Sequence, residues 1–361
     1  MMLDEKKVLY LARNDKDKSS GVNNKIGDTI STLRIMGYDA HSLQVDYDGK
    51  KEIATIAKKI VKTKAKFIVI RSMGTTNLFL QPFFFIARLQ GKTLIMDIPT
   101  PRKAAFHEAM NTRKTKFSQL RYVVLYCING PWTMWIMNNI LLSGDESKWH
   151  LFGNNKRIIK VGNGIRMDRF MLRKCVALWP SSTLRVIGVA NISFYNGFDR
   201  VIQAINFWNN KENSRYRVEL TIAGEGPEKK KLIELVKTYR VEDSVKFVGF
   251  KSKDELIDYY NTSHLALDSL GLHRIALHGI STLKVLEYCL VGIPFISSGK
   301  DVNFPNPVPF RFEIEDNDSF EGIVEIFENF GKLRAGFTDQ DIRDYAEANL
   351  SIESKLRKMG F

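Results

Sequence analysis

Hydrophobic residues in the first half of the chain come in short runs separated by amphipathic stretches. "KVLYLAR", "AHSLQV", "AKFIVIRS" and "KTLIMDIP" are the runs, and "GVNNKIGDTISTLRIMGY" and "KEIATIAKKIVKTK" lie between them with apolar residues at helical spacing. Strands of a parallel sheet are covered on both faces and read as continuous apolar runs, so this alternation predicts such a sheet with helices on either side. Gly37 stands where a helix-terminating glycine is expected, and "KRIIKVGNGI" adds a strand that ends in a glycine turn.

An irregular piece, "RFMLRKCVALWPSS" with Pro180, reads as a linker, and the alternation then restarts. "LRVIGVAN", "YRVELTIAGEG", "SVKFVGF", "HLALDSL" and "IPFISS" read as strands, and "GFDRVIQAINFWNN", "PEKKKLIELVKTYR", "SKDELIDYYNTS" and "STLKVLEYCLVG" as the helices between them. At 361 residues the chain is too long for one ordinary core and fits two domains. Two Rossmann-like units, residues 1–176 and 177–340, are the expected architecture, followed by a helical segment at 341–361.

Residues 122–144, "YVVLYCINGPWTMWIMNNILLSG", carry no charge and are long enough to cross a bilayer. Asn129, Gly130, Pro131, Thr133, Asn138 and Asn139 interrupt the stretch, and exposed amides are costly in lipid. Three readings stay open: a span, a buried helix-loop-strand, and a surface that touches lipid or a lipid-linked acceptor. Trp132 and Trp135, beside the basic "NTRKTKFSQLR", sustain the last.

Charge separates the halves. Residues 1–180 hold 31 Lys and Arg against 14 Asp and Glu, a net +17, and residues 181–361 hold 23 against 26, a net −3. A basic half suits an anionic membrane or a phosphorylated substrate. Nucleic acid is not expected, because neither a zinc finger, an RNA-recognition signature nor a long Lys/Arg run occurs. Three cysteines without metal-type spacing suggest reduced thiols and a cytoplasmic protein, and the N-terminus reads as a first strand rather than a signal peptide.

Ligands of such sheets bind beyond the carboxyl ends of strands, where helix N-termini offer free N–H groups. Three glycine-bearing turns of the second half qualify: 188–198, 223–228 and 278–284. In the last, the amides of Ser281, Thr282 and Leu283 can hold phosphates, with Lys284 as a point charge. Glu287 lies in the same helix among Val285, Leu286, Tyr288, Cys289 and Leu290, company in which an acid needs a partner. That partner is either a ribose or a neighbouring Arg or Lys.

These pieces carry a resemblance. "VGNGIRMDRF", "IGVANISFYNGFDRVIQAI", "IAGEGPE", "VKFVGF", "DSLGLHR" and "STLKVLEYCLVGIPFI" are similar, in order and spacing over about 158–298, to the retaining GT-B glycosyltransferases of family 4, of the group 1 type, particularly those of capsular and exopolysaccharide synthesis. The resemblance implies two facing Rossmann-like domains with a deep cleft between them and a C-terminal helix crossing back to the first domain. It makes Glu287 the second acid of a Glu, seven residues, Glu motif, bound to the donor ribose. Gly224, Glu225 and Gly226 would lie near the diphosphate, with Asn196 and Gly197 in the first donor loop. Gly249 and Phe250 would present backbone to the base. Arg274 would approach the pyrophosphate and, with Lys284, stabilise the leaving group, while His107 would contact the sugar, unless it is simply an exposed helix histidine. Gly21 and Val22, after the first strand, and Arg102 and Trp132 would face the acceptor.

The chain also departs from that pattern. The first motif acid is Gly279, with His278 beside it; the loop cations of the wider family are Ala190 and Asn196; and Ile275 follows the His-Arg pair. Restoring Gly279→Glu with Asn196→Lys would separate a decayed site from an adapted one. Transfer with retention in this fold needs no metal and no cofactor beyond the nucleotide sugar, and "DKD", "DYD" and "DND" at 15–17, 46–48 and 316–318 are read as chance strings. The leading expectation is a cytoplasmic enzyme, peripheral at the inner face of the membrane, moving a hexose from a nucleotide-diphosphate sugar to a glycan or lipid-linked glycan in surface-polysaccharide assembly. A relative that binds without turnover and a sugar-nucleotide epimerase are the alternatives.

Overall fold

The computed structural model describes residues 4–13, 21–46, 49–73, 76–98, 110, 115–142, 158–173, 182–275, 277 and 279–361. They form two units, one of Met1–Gly162 with Ile352–Phe361 and one of Asn163–Ser351. The chain is α/β in both, with the GT-B fold.

Unit one is built on six parallel strands, β1 (Asp4–Arg13), β2 (Asp39–Val45), β3 (Ala65–Arg71), β4 (Thr93–Ile98), β5 (Asn139–Leu142) and β6 (Ile158–Lys160), in the order β2-β1-β3-β4-β5-β6. Successive side chains of a strand point to opposite faces, and both faces are covered. Leu9, Leu11, Ile68, Ile70, Leu94 and Met96 pack with Ile56 and Ile60 of α2 (Gly49–Lys62), Leu80 and Phe84 of α3 (Thr76–Leu89), and Ile136 of α4 (Lys116–Ile136). Val8, Tyr10, Val69 and Ile95 turn the other way, onto Ile26, Ile30 and Leu33 of α1 (Gly21–Ile35) and onto Ile352, Leu356 and Met359 of α11 (Ile352–Met359).

Helix α3 is an element that the pattern did not reveal, because Pro82 and the run of three phenylalanines disguise it; the proline sits on its exposed side. Of the uncharged stretch, residues 122–142 form helix, short link and strand, α4 then β5. No helix of the described residues is long and apolar enough to cross a membrane.

Unit two repeats the plan with β7 (Thr183–Val189), β8 (Arg217–Ala223), β9 (Val245–Gly249), β10 (Leu265–Leu267), β11 (Phe295–Ser298) and β12 (Arg311–Ile314), in the order β12-β11-β10-β7-β8-β9, all parallel. Its helices are α5 (Phe198–Asn209), α6 (Lys229–Tyr239), α7 (Lys253–Thr262), α8 (Leu283–Val291), α9 (Glu321–Arg334) and α10 (Asp339–Asn349). The boundary between units falls at Gly162, earlier than 176, because the segment after it is fastened to unit two. Phe170 packs edge-on against Tyr260, and Arg173 binds Asp339 through Nε at 2.7 Å and Nη2 at 2.9 Å. At the other end only α11 returns to unit one; α10 stays, its Arg343 donating to the carbonyls of Met167, Phe170 and Leu290.

Candidate functional site

In unit two the chain steps from β7 to β8 and β9, then returns to the other side of β7 with β10, so the strand order reverses between β7 and β10. Strand connections diverge at such a point and leave room for a ligand beyond the carboxyl ends. Here Tyr288 of α8 spans the divergence. Its hydroxyl accepts from the Val189 N–H, one step past the last β7 residue paired with β10, and donates to the carbonyl of Leu267, the last paired residue of β10, each at 3.2 Å.

Immediately after β10 comes Asp268, buried at 4% exposure, and it faces the start of α8. Thr282 donates its hydroxyl to Asp268 Oδ1 at 2.8 Å, and Lys284 Nζ stands 3.9 Å from the same oxygen. That distance is an ion pair without a hydrogen bond, and the buried ammonium has no hydrogen-bond acceptor among the described residues. Burial pushes the Lys284 pKa down to about 8 against the pull of Asp268, and burial pushes Asp268 up. No described side chain caps the first turn of α8. Ser281 does not belong to the open part of this cradle: its hydroxyl accepts from the Asn163 N–H at 2.9 Å and from Asn303 Nδ2 at 2.7 Å, fixing the loop.

One turn further along α8, about 4.5 Å of helix, Glu287 meets Arg169 Nη2 at 3.4 Å and the Tyr260 hydroxyl at 3.4 Å. Both contacts are long. Burial raises the Glu287 pKa, and Arg169 and Tyr260 only partly offset it. The acid therefore has a side-chain partner, as its apolar surroundings required, yet it holds that partner loosely.

The remaining donor-loop candidates have structural duties. A Cβ on Gly224 would lie 1.8 Å from the Ala190 carbonyl oxygen, and one on Gly226 would lie 2.3 Å from that of Ile192. The two loops are zipped at this point, with Ala190 N–H to Ala223 O at 3.0 Å and Ile192 N–H to Glu225 O at 2.8 Å. Glu225 also binds Lys229 Nζ at 2.6 Å. Asn196 is buried and accepts from the Ser193 N–H at 2.7 Å, and its own carbonyl takes the Leu270 N–H; Gly197 follows in the left-handed conformation that opens α5. Gly249 ends β9, and Phe250 beside it is exposed at 77%.

Arg274 is not displayed as an unengaged cation. Its guanidinium grips Asp199 with two bonds, at 2.9 and 2.7 Å, donates through Nε to Asp318 at 2.7 Å, and reaches the Phe194 carbonyl. The bonds to Asp199, and then to Asp318, raise its pKa despite burial. His273 lies beside it, 3.0 Å from Asp318 and 3.4 Å from Asp316. The "DND" carboxylates thus face these two side chains, and no group of three metal-binding side chains occurs among the described residues.

Gly279, where the sequence departs from the family motif, is closed in by backbone. A Cβ there would stand 1.7 Å from the Lys300 carbonyl oxygen, so the loop backbone has closed over the position where the resemblance asks for an acid. His278, His107 and Arg102 lie outside the described residues. Gly21 and Val22 open α1, and Trp132 lies within α4 with only its backbone described.

At the carboxyl edge of unit one the strand order reverses between β1 and β3. There Tyr10 donates to Asp97 Oδ2 at 2.7 Å, with Arg71 Nη1 3.4 Å from the same oxygen. Lys25 of α1 approaches, its pKa lowered by burial and partly restored by Asp97. Asp97, Arg71, Asp268 and Arg169 were missed as site residues in the sequence. The signal for Asp97 and Asp268 was available: each is a carboxylate at the end of an apolar strand run, the same anomaly that singles out Glu287.

A sequence model of the family described as Glycosyl transferases group 1 matches residues 176–303. Among solved structures, HepE of Anabaena in complex with UDP is 12% identical with a TM-score of 0.69, covering 98% of each chain. A glycosyltransferase from Rickettsia africae is 14% identical with a TM-score of 0.65, covering 99% of this chain and 97% of its own. The lipopolysaccharide outer core galactosyltransferase WaaB is 10% identical with a TM-score of 0.66 over 98% of both. Likeness at these identities is one of fold. None of the curated proteins matches the sequence.

Proposed function

We propose, from the premise that the chain is a group 1 glycosyltransferase of the GT-B fold, that it transfers a hexose from a nucleotide-diphosphate sugar to a glycan acceptor, lipid-linked in surface-polysaccharide assembly, with retention and without a metal. The observation that carries the reading is Lys284: a buried ammonium without a hydrogen-bond acceptor, at the strand-order reversal and in an uncapped helix turn. A buried donor left unmade is costly, and a phosphate oxygen is the acceptor this position suits.

In this mechanism the diphosphate lies on the first turn of α8, where the helix dipole and Lys284 stabilise the charge that develops as the nucleoside diphosphate departs. Glu287, held loosely by Arg169, turns to the ribose hydroxyls. The sugar becomes oxocarbenium-like, and the acceptor hydroxyl attacks from the face the diphosphate leaves, its proton passing to a departing phosphate oxygen.

Calorimetric titration with UDP, GDP, ADP and CMP tests the reading. UDP is the first choice, given the UDP complex of a protein of the same fold. Micromolar binding of one diphosphate that is lost in Lys284→Ala and Glu287→Ala supports it; equal binding by the variants, or none by the native chain, overturns it. A second reading, nucleotide binding without turnover, is favoured by Arg274, whose charge is engaged by Asp199 and Asp318. It predicts tight diphosphate binding with no release of nucleoside diphosphate from the sugar nucleotide when glycan acceptors are supplied.

A further inference from the structure

The turn that opens α8 is held from outside the helix. Ser281 in that turn is buried, and two asparagines from distant parts of the chain bind it. Its hydroxyl oxygen accepts from the Asn163 N–H at 2.9 Å and from Asn303 Nδ2 at 2.7 Å, and its carbonyl accepts from Asn163 Nδ2 at 2.6 Å. A serine oxygen has two lone pairs, so both are spent and the residue has little freedom to turn. Asn303 Nδ2 gives its second hydrogen to the Asn163 carbonyl at 3.2 Å, which closes a triangle of Ser281, Asn163 and Asn303.

The loop after β11 brings Asn303 to this triangle, and that loop is itself braced. Arg311, buried on β12, donates from Nη2 to the Gly299 carbonyl at 2.5 Å. Asp301 accepts from the Asn303 N–H at 2.8 Å, and the Asn303 carbonyl accepts from the Tyr345 hydroxyl of α10 at 2.6 Å. Tyr345 in turn lies flat on Phe304, ring centroids 5.3 Å apart. The same loop carries Lys300, whose carbonyl oxygen occupies the space beside Gly279. Where the resemblance asks for an acid, this chain has the backbone of a braced loop, and that loop sends Asn303 into the turn that opens α8.

The contact needs two donors on one nitrogen. Leucine keeps the bulk of asparagine and has no donor, and aspartate offers acceptors only. Ser281 directly precedes Thr282, Leu283 and Lys284, the uncapped first turn of α8. A displacement of Ser281 is carried along the backbone into these amides and the stem of Lys284, and a donor set loses its value when the groups supporting it are loose.

We propose that Asn303 is a positioning residue for the diphosphate. It does not touch the ligand; it sets the turn from which the Thr282 and Leu283 amides and the Lys284 ammonium meet it. The inference rests on the donor site proposed above and adds to that site a residue and a loop outside the family motif.

Calorimetric titration of the full chain with UDP, GDP and ADP, and with uridine, guanosine and adenosine by displacement, tests it. The native chain is compared with Asn303→Leu, Ser281→Ala, their double variant and Lys284→Ala. Asn303→Leu lowers affinity for the diphosphate about tenfold and changes affinity for the corresponding nucleoside less than about twofold. A residue that only stabilises the loop would lower the melting temperature and leave the ratio of the two affinities as it is. The losses caused by Asn303→Leu and Ser281→Ala are less than additive in the double variant, because both break one contact. If Asn303→Leu does not fold, Ser281→Ala, which removes only the acceptor, carries the same comparison of diphosphate with nucleoside. Diphosphate binding that Lys284→Ala abolishes and Asn303→Leu retains, an equal loss for nucleoside and diphosphate, or additive losses overturn this inference and leave the donor site standing. Absence of diphosphate binding by the native chain overturns both.

Discussion

Gly279 and Lys300 meet so closely that a Cβ on the glycine would stand 1.7 Å from the lysine's carbonyl oxygen. Backbone cannot yield as a flexible side chain does, so any side chain at 279 must displace the loop after β11. Gly279→Ala is expected to cost about 2 kcal/mol or more, and Gly279→Glu at least as much. The combined Gly279→Glu, Asn196→Lys variant therefore loses thermal stability and gains no activity, since the Asn196 side chain also anchors its loop by accepting from the Ser193 N–H. A folded double variant with raised turnover would show that the loop tolerates the acid and that the native site is a decayed one.

Lys284 links affinity to pH. Its pKa of about 8 in the folded chain lies below the ordinary 10.5, so the unfolded chain holds the proton between those values. This lysine's contribution therefore makes the protein more stable as pH rises from about 8 to 10.5, while below 8 the full cost of burying the charge is present. Diphosphate binding runs the other way: it needs the ammonium, so affinity falls about tenfold per unit above pH 8. Lys284→Met is expected to raise the melting temperature at neutral pH, lower diphosphate affinity about 10- to 100-fold, and flatten its pH profile. Calorimetry at several pH values reads all but the melting temperature, and an unchanged slope in the methionine variant would refute the assignment.

Glu287 distinguishes a structural acid from a ligand-binding one. Gln keeps the shape and can still accept from Tyr260, and it removes a carboxylate that burial disfavours. Glu287→Gln should thus leave the melting temperature within about 2 °C while lowering nucleoside diphosphate affinity about tenfold. If Arg169 is the only purpose of the acid, the variant loses stability and keeps its affinity.

What the sequence discloses follows from the range of each interaction. Burial on both faces writes continuous apolar runs, so the strands from Val8 and Leu9 through Phe295 and Ile296 are readable without knowledge of their partners. Helix α3 is hidden because Pro82 argues locally against a helix that tertiary packing of Leu80 and Phe84 enforces. Glu287 is legible as an acid in need of a partner, but Arg169 is supplied from a distant segment that no periodicity connects to α8. The same holds for Arg274, which reads as a cation awaiting an anion and instead meets Asp199 and Asp318, carboxylates contributed by two other parts of the chain.

Those carboxylates define a last prediction. The Arg274 guanidinium ties together the turn at Phe194, the first turn of α5 at Asp199, and the loop at Asp318. Arg274→Ala leaves Asp199 without that partner and should cost about 1–2 kcal/mol, a fall of roughly 3–6 °C in melting temperature. If the residue serves as this clamp, affinity for the nucleoside diphosphate changes less than about threefold, since the charge it removes was already neutralised. Asp318→Asn gives the complementary measurement. A loop clamp loses a little stability in that variant and no affinity, whereas a guanidinium that exchanges Asp318 for a phosphate binds the diphosphate more tightly once the competing carboxylate is gone.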